Sequence, residues 1–226
     1  MAWTRITHAH VRQYFARQRA TDRLGITIHL GFAAAYLFLA GWPTTWVAWS
    51  ALPLLICLLV RMTGHLYILE ALCWDHVTRL SVALAAWIGL SSLWSSGGNK
   101  DMVSDATGML FALAIPILYP VLDQRRLLLR VLVLGIACGQ LSQLVHLAGI
   151  KFNIQQLQWH RFSDRVSGWW DPVVGGSVLC AALGVWCGGL LGAIRDPGRA
   201  WARRAVCITG IVVTLGCILL TGTRGA

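Results

Sequence analysis

Three arginines occupy positions where cations are rare. Arg161 and Arg165 lie in the stretch IKFNIQQLQWHRFSDRVSGWWD, residues 150–171, between two long apolar segments, and Arg224 directly follows a third. An apolar helix of about 20 residues, rising about 1.5 Å per residue, crosses a bilayer, so Arg224 is expected at a membrane face. Charge at that depth is costly and by default marks a functional site. A guanidinium is a planar fork of donors that grips phosphate or carboxylate with two bonds at once. Two or three of them converging would hold an anionic headgroup. The competing explanation is structural: snorkelling, or an ion pair of Arg161 or Arg165 with Asp164.

A second polar set is neutral. Gln140, Gln143 and His146 recur at three-residue spacing within one apolar segment. On a helix they form a stripe, and inside lipid such a stripe turns to the bundle interior or to a wet cavity. Hydrogen bonds between helices would explain it equally well. Trp159, Trp169 and Trp170 share the arginine-bearing stretch. They read as members of an interfacial aromatic belt, or as rings that stack on a sugar or line a lipid entrance. No metal is expected. The seven cysteines form no CxxC pair and, apart from Cys73, fall inside apolar runs as small buried hydrophobes.

Composition sets the frame for these residues. The chain is 57% hydrophobic and 12% charged, about half the usual charge of a soluble domain. The net charge of +10 does not point to nucleic acid, because the arginines are spread through connecting segments and no RNA-binding aromatic signature accompanies them. The basic N-terminus lacks a cleavage site, so its apolar run is read as retained.

The expected fold is all-α, a polytopic transmembrane helix bundle of about seven spans. They are drawn at Gly25–Trp42, Thr44–Val60, Ser81–Ser96, Thr107–Leu122, Leu127–Gly149, Pro172–Ile194 and Ala205–Thr223. Lysine and arginine set the direction. With the N-terminus inside, only Lys100, Lys151, Arg161, Arg165 and Arg224 of the 19 basic residues fall outside. The N-terminus is therefore expected in the cytoplasm and Arg224 at the outer face. Residues 1–24 read as a basic interfacial segment and 25–226 as the transmembrane domain, with 150–171 as its outer loop. Segments 3–15 and 64–77 are amphipathic enough to lie flat on the inner leaflet. Gly184, Gly188 and Gly192 share one helix face, a spacing that lets two backbones approach closely. Pro116 and Pro120 are expected to kink the fourth span, and His29 to be a satisfied packing residue.

Three short motifs then resemble one family. Arg165-Val166-Ser167-Gly168, opening a glycine-containing span, looks like the Arg-x-Ser-Gly motif of the O-antigen ligase and polymerase superfamily. Leu220-Thr221-Gly222-Thr223-Arg224-Gly225-Ala226 resembles its Ser/Thr-Arg-Gly-Ala element, and Ser91-Ser92-Leu93-Trp94-Ser95 fits its wording at the end of the third span. One departure is Trp169-Trp170-Asp171-Pro172, where members often carry an aromatic followed by an Asn-Pro-Asn-like stretch.

The resemblance implies a bacterial inner-membrane, multi-pass enzyme without cofactor. Its donor would be a polyprenyl-diphosphate-linked glycan, its acceptor lipid A–core or another glycan, and its surroundings membrane lipids. It also implies that Arg224, Arg165 and Arg161 bind the diphosphate, while a histidine in a large outer loop beyond Ala226 serves as general base. The chain is accordingly expected to be the truncated N-terminal portion of such a protein, inactive alone. The alternatives are a transporter or flippase for a lipid-linked or anionic solute, and a non-catalytic membrane scaffold.

Overall fold

The computed structural model describes residues 8–42, 44–91, 109–110, 112–155, 172–195 and 200–221, and every element named among them is helical. In chain order these are α1 (His8–Thr21), α2 (Arg23–Leu39), α3 (Thr44–Gly64), α4 (Leu66–Trp74), α5 (His76–Ser91) and α6 (Ala114–Leu118). A 3-10 helix (Tyr119–Gln124) follows, then α7 (Arg125–Lys151), α8 (Pro172–Arg195) and α9 (Ala200–Thr221).

The boundaries have local causes. Asp22 caps α2, its carboxylate accepting from the Gly25 N–H at 3.0 Å. Asp75 ends α4 in an extended conformation and caps α5 through the Thr78 N–H at 2.7 Å. A tight turn closes α2, with the Ala40 and Trp42 N–H groups donating to Leu37 and Leu39. At Gly64 the chain leaves α3 at 111° into α4, where an interfacial segment was expected.

The span count differs from the expected seven. By length and composition two described helices can cross a membrane, Ala114–Lys151 and Trp201–Leu220. They become three if the bent pair Trp49–Gly64 and Leu66–Trp74 is one broken span. Helix α2 and the stretch Leu179–Ile194 of α8 are apolar but shorter, and α5 has 16 residues. The fourth and fifth expected spans are joined by the 3-10 helix, with no residue outside helix between Ala114 and Lys151. Pro120 stands near the start of that 3-10 helix and is absorbed by it.

The surface is consistent with a membrane protein. Trp49, Trp87, Trp201 and Leu219 are exposed, while His29, Arg61, Gln140, Gln143, His146 and Thr214 are buried. A water-soluble domain has the reverse pattern, with few large apolar patches outside. Cysteines follow the same rule. Only Cys207 and Cys217 are buried, whereas Cys73, Cys180 and Cys187 are exposed. An apolar run alone does not separate a lipid-facing position from a core position, since lipid is as apolar as leucine.

The helices form two compact units, residues 1–36 with 45–129, and residues 37–44 with 130–226. In the second unit α8 and α9 pack antiparallel. Leu179 meets Cys217 in one buried cluster, a Cβ at Gly210 would enter the Trp186 ring, and one at Gly189 would stand 3.0 Å from the Cys207 sulfur. Arg204 closes the far end, its Nε donating to the Ala193 carbonyl at 3.2 Å near the C-terminus of α8.

The glycine stripe expected to pack has no close neighbour among the described residues. No described residue lies within 4 Å of a Cβ built on Gly184, Gly188 or Gly192, and all three are exposed. A different pair at the same spacing makes the close approach: Cβ atoms at Gly135 and Gly139 would collide with the carbonyls of Phe38 and Gly41. Only glycine lets α7 lie this close to the turn after α2.

Candidate functional site

Arg161, Arg165, Trp169, Trp170 and Arg224 lie outside the described residues, as do Trp94 and Trp159. What is described is the scaffold from which they leave. Helix α8 begins at Pro172, just after the Arg165–Gly168 motif, and α9 ends at Thr221, just before Arg224. Because α8 and α9 are antiparallel, those two helix ends belong to the same end of the pair.

The polar stripe of α7 is split between two roles. Gln140 is a clasp across three helices: its Oε1 accepts from the Trp186 indole N–H and its Nε2 donates to Thr214 Oγ1, both at 2.9 Å. Thr214 in turn donates to the Gly210 carbonyl at 2.7 Å. Every polar atom of this set has a partner, which fits the interhelical explanation. Gln143 is completely buried, yet neither atom of its amide has a hydrogen-bond partner. Both glutamines line a cavity of about 210 Å³ together with Ala40, Gly41, Leu179 and Ala182. His146 is also fully buried but does not line that cavity.

The first unit holds a charged network that sequence reasoning missed. Arg61, 5% exposed at the end of α3, donates from Nε to Asp22 Oδ2 at 2.6 Å and from Nη1 to His29 Nδ1 at 2.9 Å. Arginine cannot accept a hydrogen bond, so His29 Nδ1 must. The ring is therefore neutral, with its proton on Nε2, which donates to the Ile117 carbonyl at 2.7 Å. That carbonyl needs an outside donor for a covalent reason. In the 3-10 geometry its partner would be the residue three positions on, Pro120, which has no N–H. His65 Nε2 stands 3.6 Å from Asp22 Oδ2.

The network has a legible origin. An acid opening the first apolar helix and an arginine closing the second are brought together by any antiparallel hairpin. The acid favours the helix N-terminus and the cation the C-terminus. His29 is the satisfied packing residue that was expected, and its partners supply the reason.

Around the network, α1 contributes two surface ties. Arg19 pairs with Asp123 at 3.1 Å, and Thr21 Oγ1 meets the Tyr67 hydroxyl of α4 at 3.1 Å. Burial, helped by the neighbouring Glu70, raises the Tyr14 phenol above its ordinary value. Compared with known families, curated proteins and solved structures, the chain has no match.

Proposed function

We propose that the chain carries the donor-binding part of a membrane glycan transferase. A glycan would pass from a polyprenyl diphosphate to an acceptor sugar, lipid A–core or another glycan, at the outer face of a bacterial inner membrane. The observation that carries this reading is the antiparallel α8–α9 pair, whose shared end is bracketed in sequence by the Arg165–Gly168 and Thr221–Ala226 motifs.

The proposed topology keeps seven spans with the N-terminus inside, the 3-10 helix serving as the inner turn between the fourth and fifth. Its support is that residues assigned to the inner side by the lysine and arginine bias meet one another. Arg19 pairs with Asp123, and Asp22 with Arg61.

The chemistry asked of the arginines is electrostatic. As the glycosidic bond breaks, negative charge grows on the departing lipid diphosphate. Guanidiniums of Arg224, Arg165 and Arg161 fixed at that position lower the barrier without reorganising. The acceptor hydroxyl gives its proton to a general base, a role no described residue fills. A transporter reading would use the proline-bearing fourth span, Thr107–Leu122, as an open ion or solute site. Against it, the carbonyl freed at Ile117 is already sealed by His29.

The test is complementation of a host lacking the gene, with Arg224→Lys and Arg224→Ala beside wild type at matched membrane levels. Both variants are expected to lower glycan transfer by about 100-fold or more, the scale of losing one preorganised donor. Lysine fails because it keeps the charge but loses the fork. Wild-type transfer by both variants would refute the clamp.

A further inference from the structure

The Arg19–Asp123 ion pair gathers more positive charge than it neutralises. Its partners are 104 residues apart in sequence, and both belong to the first unit. The N–H groups of Asp22 and Ile26 donate to the Gln18 and Asp22 carbonyls, so helical bonding runs from α1 into α2. Arg23 therefore stands one turn after Arg19, on the same face. The 3-10 helix passes likewise into α7, the Arg125 N–H donating to the Leu122 carbonyl. That places Arg126 one turn beyond Asp123. Each member of the pair thus has an exposed arginine one turn away, and Arg125 is exposed beside them.

The acids described in this unit are committed. Asp22 holds Arg61 and the Gly25 N–H, Asp75 the Thr78 N–H, Asp123 Arg19, and Glu70 the Tyr14 hydroxyl. Exposed guanidiniums in such a setting are complementary to phosphate. The neighbouring side chains select its source. Leu24, directly after Arg23, is 74% exposed, and Ile28 and Phe32 extend it at four-residue spacing as an exposed apolar stripe along α2. Leu127, directly after Arg126, is exposed as well. A soluble phosphate would leave that stripe bare. A phospholipid meets both features at once, its headgroup at the arginines and an acyl chain along the leucine, isoleucine and phenylalanine.

We propose that Arg23 and Arg126, flanking the Arg19–Asp123 pair, bind the headgroup of an anionic phospholipid whose acyl chain lies on Leu24, Ile28 and Phe32. The site requires only that the chain lies in a membrane, and it is independent of the transferase reading and of the outer arginines. One lipid so held bridges the start of α2 and the start of α7, reinforcing the tie that Arg19 and Asp123 already make.

Native mass spectrometry of the purified full chain in detergent tests this, with phosphatidylglycerol and phosphatidylcholine of identical acyl chains as probes. Wild type is expected to bind phosphatidylglycerol at least about tenfold more tightly, at about fivefold for each arginine near the surface. The double variant Arg23→Gln, Arg126→Gln is expected to bring the two lipids within about twofold of one another. Arg79→Gln with Arg203→Gln removes the same charge elsewhere and is expected to keep the preference. Glycerol phosphate, the soluble counterpart, is expected not to displace phosphatidylglycerol at equal concentration. Equal wild-type affinities, a preference that survives the first double variant or is lost equally in the second, or displacement by glycerol phosphate would overturn the proposal. Should the first double variant fail to fold, the single variants decide, each expected to lower the preference about fivefold. An unchanged preference in both singles would overturn it.

Discussion

Replacing Asp22 with alanine is expected to cost about 3–5 kcal/mol, the range for removing one partner of a buried ion pair. Three interactions go at once. Arg61 Nε loses its acceptor, the Gly25 N–H loses its cap, and His65 loses its neighbouring carboxylate. The guanidinium is left 5% exposed, held only by a neutral histidine. Arg61→Met should cost less, because Asp22 keeps the Gly25 N–H and some access to water. The double variant Asp22→Asn, Arg61→Met should recover much of the loss, since an apolar replacement for a buried pair is often nearly neutral. Unfolding midpoints in detergent, with protein levels in membranes, check the order. An Asp22→Ala protein as stable as wild type would mean that Arg61 reaches water after all.

The second large effect concerns glycines, and its sign is the point. Gly139→Ala is expected to destabilise by more than about 2 kcal/mol, because the new methyl meets backbone, which cannot turn aside as a side chain can. Gly135→Ala should behave alike, against the Phe38 carbonyl. Gly188→Ala on α8 meets nothing, so it should instead stabilise by up to about 1 kcal/mol through helix propensity. Thermal unfolding of the three purified variants separates the two stripes. Equal costs at Gly139 and Gly188 would show that the close approach at α7 is not what holds the second unit together.

This contrast shows how far a sequence speaks. Both glycine stripes were there to be read at the same spacing, but spacing identifies a face able to pack, and the choice among faces is made by neighbours distant in the chain. The positions of α2, α3, α7, α8 and α9 were legible, because apolar runs closed by charges and turn residues leave little freedom. Span count was less so. Pro116 and Pro120 predict a break, yet proline near the start of a 3-10 helix continues the chain in helical form rather than turning it in a loop. The stripe on α7 was legible as inward-facing and illegible in its division of labour. Gln140 is satisfied because Trp186 and Thr214 happen to flank it, and Gln143, one turn on, is not. The Asp22–Arg61–His29 network required knowing that α2 and α3 are antiparallel, after which their charged ends could have been paired on paper.

The network also bears on the build of the first unit. It ties the start of α2, the end of α3 and the freed carbonyl at Ile117 into one polar joint within the first unit.

The most direct measurement is the affinity of the protein, purified from its host membrane into nanodiscs, for farnesyl diphosphate against farnesyl monophosphate. If outer guanidiniums clamp a lipid diphosphate, wild type binds the diphosphate at least about tenfold more tightly, and Arg224→Lys erases that preference. Equal affinity of wild type for the two lipids, or a preference untouched by Arg224→Lys, would contradict the account.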